Sequence, residues 1–230
     1  MAVIRLEYIY FDIDGTLCDY GLDPRAALKL VCERLDIDVT LDPYEYYELY
    51  KVAARERPGG TYEEVSNEAY RRLLESHGYR DSALARRMAD TYRRARLASI
   101  GLYPDTIRVL ESLSEKYTLG IISNGPGEIQ WAKLDRFQLR DYFHTIIISG
   151  DVGVEKPSKA IFRLALNRAQ AKAERSAHVG DNLRDDVHGA LEAGLTSVWV
   201  NRGVLKSDGI VVRPHYELLS LSELLPILDR

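Results

Sequence analysis

Asp12 and Asp14 stand two residues apart at the end of the apolar run YIYFDIDGTL, and Gly15 and Thr16 follow them. Aromatic and β-branched residues over Tyr8–Ile13 predict a buried strand, and the glycine predicts the turn that ends it. A buried carboxylate is costly unless it is paired or bound to metal, so two of them at a strand end call for a cation. Residues i and i+2 of a strand share a face, which turns both carboxylates into one cleft. There one can serve as a nucleophile and the other as a general acid and base.

Three more strand ends carry reactive side chains. Ser123, Asn124 and Gly125 follow TLGII, where a hydroxyl and turn amides at a helix N-terminus can hold phosphoryl oxygens. Lys156 lies between Glu155 and Pro157, placed to neutralise phosphate charge. Asp181 opens the run GDNLRDD after the apolar SAHVG and is expected to face Asp12. Three carboxylates (Asp12, Asp14, Asp181) with room for waters make a hard oxygen site suited to Mg2+. Asp185 and Asp186 begin a helix, where an acid also pairs favourably with the helix dipole. Taken singly, a serine turn or a lysine is ordinary; the convergence carries the reading.

The elements that must position these groups alternate. Val3–Ile13, Thr118–Ser123, His144–Ser149, Ser176–Gly180 and Ser197–Val200 read as strands. Asp105–Lys116, Gly127–Phe137, Pro157–Ala169 and Leu183–Ala193 read as helices. Strict alternation predicts a Rossmann-like doubly wound parallel α/β sheet with helices on both faces. Ligands in such sheets bind outside the carboxyl ends of the strands, where all four motifs fall. The stretch from Pro24 to Ile100 has no strand-like run. Four helical patterns fill it, over Pro24–Leu35, Pro43–Arg57, Thr61–His77 and Asp81–Ser99, with Thr61 and Glu64 forming a capping box. The expected division is a core of residues 1–18 and 101–230, interrupted by an α-helical insertion of residues 19–100.

Length and composition bound the function. The chain has 230 residues, 46% of them hydrophobic, and a net charge of −4, with no feature of a nucleic-acid or membrane binder. No leader-like segment and no membrane-length apolar run is evident, and Cys18 and Cys32 read as buried thiols of a reducing compartment, so a cytoplasmic protein is expected. His178 reads as a core histidine; His77, His144, His188 and His215 are given no chemistry.

DIDGT, SNG, Lys156-Pro157 and GDNLRDD, in this order, resemble the four motifs of the haloacid dehalogenase superfamily, and the resemblance spans about Val3 to Val200. It implies that Asp12 is the nucleophile, forming an aspartyl-phosphate, and a metal ligand. Asp14 would protonate the leaving oxygen, then activate water, and bind Mg2+ through its carbonyl. Ser123 would bond the transferring phosphoryl group with help from the Asn124 backbone. Lys156 would stabilise Asp12 and the phosphoryl charge, and Asp181 would bind the metal. Asp186 matches the family's last acid. The residue before that acid is commonly Asn or Thr and is Asp185 here, which leaves open which of the two faces the metal.

Dehalogenases of the superfamily use an aspartate nucleophile but need neither Mg2+ nor an acid two residues later; Asp14, Asp181 and Asp186 therefore favour a phosphatase. A phosphomutase shares the motifs, and a non-catalytic Mg2+/phosphate switch module is the alternative of another class. The insertion resembles the helical cap of one branch (subfamily I), which implies a small phosphorylated metabolite as substrate. Its tyrosines and arginines read mostly as helix packing and solvated surface. Tyr20 and Arg57 are the two candidates for substrate contact. A monomer or a homodimer is equally compatible with the sequence.

Overall fold

The computed structural model describes residues 6–203 and 212–228. In chain order the elements are β1 (Tyr8–Phe11), α1 (Pro24–Leu35), α2 (Pro43–Glu56), α3 (Tyr62–Ser76), α4 (Ser82–Ser99), α5 (Thr106–Ser114), β2 (Thr118–Ser123) and α6 (Gly127–Arg136). There follow β3 (Thr145–Ile148), α7 (Ser149–Val152), α8 (Lys159–Ala169), β4 (Ser176–Gly180), a π-helical segment (Leu183–His188), α9 (Gly189–Ala193), β5 (Thr196–Val200), β6 (Tyr216–Leu218) and α10 (Leu224–Leu228). The chain separates into two compact units, residues 1–19 with 102–230 and residues 20–101.

The first unit is a parallel sheet in the order β3-β2-β1-β4-β5-β6. The order reverses direction at β1, so β1 and β4 flank the switch point. Alternation along β1 decides its two faces. Tyr10 joins Ile122, Ile147, Phe162, Ala165 and Ala190 in a buried cluster beneath α8 and α9, and its hydroxyl donates to the Ala165 carbonyl at 3.4 Å. Ile9 and Phe11 are equally buried, and the Phe11 ring lies 6.4 Å from that of Phe143. Each such side chain contributes about 1.5–3 kcal/mol of burial. Tyr10 pairs in register with Gly120, and a Cβ there would stand 2.6 Å from its ring, so only glycine leaves room at the centre of β2.

The second unit holds α1 to α4. Asp23, Asp42, Thr61 and Asp81 cap the four helices through their side chains, and Pro24 and Pro43 occupy the first helical position. The Thr61–Glu64 capping box is present in both directions. Ala27, Leu28, Val31, Leu73, Leu74 and Met88 form its core with Tyr46, Tyr70 and Tyr92. The Tyr46 ring is 4.4 Å from Tyr70 and 5.5 Å from Tyr92, so these tyrosines pack helices, whereas Tyr44 and Tyr47 are exposed.

Several boundaries differ from expectation. The first strand covers only Tyr8–Phe11 of the predicted Val3–Ile13, of which residues 3–5 lie outside the described residues. The chain leaves the ladder after Asp12, whose N–H still donates to the Val179 carbonyl, and turns through Gly15. Ser149 belongs to α7 rather than to β3. The helix predicted over Leu183–Ala193 starts as a π-helix and becomes α-helical at Gly189. β6 and α10 are too short for a periodic signal in the sequence. Among the described residues no helix is long and apolar enough to cross a membrane.

Candidate active site

Four loops at the carboxyl edge of the sheet bring their side chains together. Asp12, after β1, is buried, and its Oδ1 lies 2.8 Å from Lys156 Nζ. The same ammonium donates to Asp186 Oδ1 at 2.6 Å. Asp186 also takes a hydrogen bond from His178 Nε2 (2.8 Å) and, through Oδ2, from the Asn182 N–H (3.0 Å). One ligand oxygen each from Asp12, Asp181 and Asp186 fall within 4.8 Å of one another, and all three residues are buried.

Burial, opposed by Lys156 and reinforced by Asp186 and Asp14, holds the Asp12 carboxyl above the usual carboxylate range. Burial pushes Asp186 the same way, but the Lys156 ammonium and the His178 and Lys156 hydrogen bonds outweigh it and hold this carboxyl below that range. Burial pulls Lys156 down, but Asp12 and Asp186 outweigh it and hold the ammonium above the usual lysine range. Burial lowers His178, against the pull of the Asp186 hydrogen bond, and Nε2, which faces the carboxylate, is the nitrogen that donates to it. Among the described residues, Asp12 and Asp186 share the Lys156 ammonium, and Asp181 adds a third acid to the cluster. The excess negative charge and the all-oxygen donor set suit a hard divalent cation such as Mg2+.

The scaffold of these groups is specific. The Asn124 side chain brackets the Lys156 backbone, its Nδ2 donating to the carbonyl (3.0 Å) and its Oδ1 accepting from the N–H (2.8 Å). That amide is therefore committed to the lysine loop, and only the backbone of Asn124 is left for a phosphoryl group. Trp199 Nε1 donates to the Asp181 carbonyl at 2.8 Å and fixes the loop after β4. The Asn182 side chain caps the π-helix through the N–H groups of Arg184 and Asp185. The π turn carries Asp186 back over its own first residues, while Asp185 stays half-buried outside the acidic cluster.

Ser123 is buried at the end of β2, and its Oγ accepts from Gln130 Nε2 at 2.9 Å. The Asp14 side chain is not part of the acidic cluster, and Asp186 takes the third place that the sequence reading gave to Asp14. The physical reason is that β1 ends at Phe11, so strand alternation no longer governs residue 14. Lys133 Nζ lies 2.6 Å from both Asp14 oxygens, and Gln130 Nε2 lies 2.9 Å from Oδ2.

Sequence reasoning missed Lys133 and Gln130. Their signal was two polar residues sharing the face of α6 that buries Leu134. His178 is a core residue as expected, but its partner is a site carboxylate. Burial pushes the Cys18 thiol up, and Cys18 and Cys32 are buried thiols outside any disulfide. His77, His144, His188 and His215 contribute nothing to the acidic cluster. In the second unit Tyr20 and Arg57 are exposed.

Residues 9–200 match the family described as haloacid dehalogenase-like hydrolase. The chain is 33% identical over 217 residues to a glyceraldehyde 3-phosphate phosphatase of Methanothermobacter thermautotrophicus, covering 92% of this chain and 91% of that one. Among solved structures, the HAD-hydrolase YfnB of Bacillus subtilis bound to magnesium superposes with a TM-score of 0.73 at 29% identity, covering 98% of this chain and 100% of that one. A 2-haloacid dehalogenase of Pseudomonas syringae superposes with a TM-score of 0.74 at 29% identity, covering 98% and 99%.

Proposed function

This chain belongs to the haloacid dehalogenase-like hydrolases, and from that premise we propose that it is a Mg2+-dependent phosphatase acting on a small phosphomonoester through an aspartyl-phosphate. The observation that carries the reading is the buried acid cluster of Asp12, Asp181 and Asp186, in which Asp12 and Asp186 share the Lys156 ammonium. Displacing a halide requires no cation at the nucleophile, whereas a phosphoryl group brings negative charge that must be neutralised. Asp14, absent from the dehalogenase scheme, supplies the proton that an alkoxide leaving group requires. The phosphatase name of the methanogen relative supports the same choice over the dehalogenase neighbour.

Asp12, Asp181 and Asp186 would hold the metal, with Asp14 contributing its carbonyl; the ion would neutralise phosphoryl oxygens. In the first step an Asp12 oxygen bonds to phosphorus. The bond to the leaving oxygen breaks, and that oxygen takes a proton from Asp14. In the second step Asp14 takes a proton from a water that attacks phosphorus; the bond to Asp12 breaks and phosphate departs. Lys156 holds Asp12 in place and offsets charge throughout, and Ser123 with the Asn124 backbone grips the phosphoryl oxygens. His178 and the Asn182 N–H keep Asp186 oriented. Residues 20–101 act as a substrate-selecting cap, with Tyr20 and Arg57 as contact candidates. Asp185 takes no part.

The test is phosphate release from a panel of small phosphomonoesters, glyceraldehyde 3-phosphate included, with Mg2+ and with EDTA, and with Asp12→Asn as control. Mg2+-dependent release that the substitution abolishes supports the reading. Chloride release from 2-chloropropionate without phosphate release from any ester overturns it.

A further inference from the structure

We propose that Lys133 and Gln130 are positioning residues that set the acid/base carboxylate of Asp14 and the hydroxyl of Ser123 as one unit. The inference rests on the roles given to Asp14 and Ser123 above. Lys133 Nζ touches both oxygens of Asp14 at 2.6 Å, which fixes the plane of the carboxylate as well as its position. The lysine is only 7% exposed, and lysines are rarely buried unless paired. The Asp14 side chain keeps 23% of its surface, so the carboxylate is gripped from α6 while remaining open on another side.

Gln130 ties this carboxylate to the phosphoryl grip. Its Nε2 lies 2.9 Å from Asp14 Oδ2, 2.9 Å from Ser123 Oγ and 2.8 Å from the Asn124 carbonyl. An amide nitrogen carries two hydrogens, so three acceptors share two donors. By donating to Ser123 Oγ, Gln130 occupies a lone pair of that oxygen and leaves the hydroxyl hydrogen for a phosphoryl oxygen. The weak 3.5 Å contact from Ser123 Oγ to the Asn124 carbonyl offers little competition. A purely structural ion pair would have no need of an amide shared with Ser123.

The two esters of the test differ in one bond. In p-nitrophenyl phosphate the breaking P–O bond leaves its electrons on a stable phenolate; in benzyl phosphate they fall on an alkoxide that must take the Asp14 proton. Because kcat/KM reports steps up to departure of the leaving group, the ratio of this constant between the esters isolates proton donation. General acid catalysis supplies roughly 10²–10⁴-fold. Lys133→Met should therefore lower kcat/KM for benzyl phosphate by at least about tenfold more than for p-nitrophenyl phosphate. Lys133→Gln, neutral and of similar length, should give the same split if the Met variant does not fold. Gln130→Met and Ser123→Ala, each lowering turnover of both esters, should combine less than multiplicatively. Equal losses on both esters in folded Lys133 variants, or fully multiplicative losses for Gln130 and Ser123, overturn the proposal. A folded wild type that releases phosphate from neither ester overturns the phosphatase reading itself, an outcome separable because it appears without any substitution.

Discussion

A Cβ on Gly180 would stand 2.1 Å from the Cγ of Asp186, so the carboxylate occupies the space that any other residue at the end of β4 would fill. The strand end and the π-helix are thereby matched: the missing side chain of one is the seat of the acid from the other.

Gly180→Ala should therefore displace Asp186 from Lys156 and His178. Overpacking of this kind costs about 1–3 kcal/mol. Urea unfolding should show that loss, and phosphate release should fall with it. A variant of wild-type stability and activity would mean that Asp186 can retreat without consequence.

Added Mg2+ should raise the thermal midpoint of the wild type, since an ion that binds only the folded protein adds about 2.7 kcal/mol at a hundred times its Kd. Asp181→Asn removes one of the three clustered carboxylates and should shrink the rise. Calorimetry with and without the ion checks this, and an equal rise in both proteins would place the binding elsewhere.

Tyr70 is fully buried in the helical unit, and its hydroxyl has no hydrogen-bond partner among the described residues. An unpaired buried hydroxyl is unfavourable by about 1–3 kcal/mol. Tyr70→Phe should keep the ring packing and raise stability by about 1 kcal/mol in urea unfolding. A loss of stability would reveal a partner for the hydroxyl.

Glu68 accepts from Arg71 (Nη2, 2.6 Å) and Arg72 (Nε, 2.7 Å). The Arg71 hydrogen bonds, opposed by burial and joined by Arg72, pull its carboxyl down from 4.5 to about 2. The unfolded chain then binds the proton more readily, so the contribution of Glu68 is complete above about 4.5 and is lost as pH falls toward 2. Glu68→Gln should be less stable than wild type at pH 7 by under about 1 kcal/mol, since the arginines are partly exposed. The gap should close between pH 4.5 and 2. A gap independent of pH would assign the effect to packing.

Local chemistry is what the sequence by itself determined. The apolar runs Thr118–Ser123 and Ser176–Gly180 became strands over those same residues, because β-branched and apolar runs bounded by turn residues have few other solutions. Thr61 with Glu64, and the prolines at 24 and 43, set helix starts through contacts a few residues long. Asp12, Ser123, Lys156 and Asp181 were legible because each ends or follows such a run. Tertiary structure alone decided what those groups touch. Asp14 meets Lys133 and Gln130 across 119 and 116 residues of chain, and strand alternation could not foresee it once β1 ended at Phe11. The choice of Asp186 over Asp185 followed from a π turn and from the space above Gly180, neither of which has a periodic signature. Short-range preferences are written in neighbouring residues; which face of α6 or of the π-helix meets the cleft depends on how the whole sheet packs its helices.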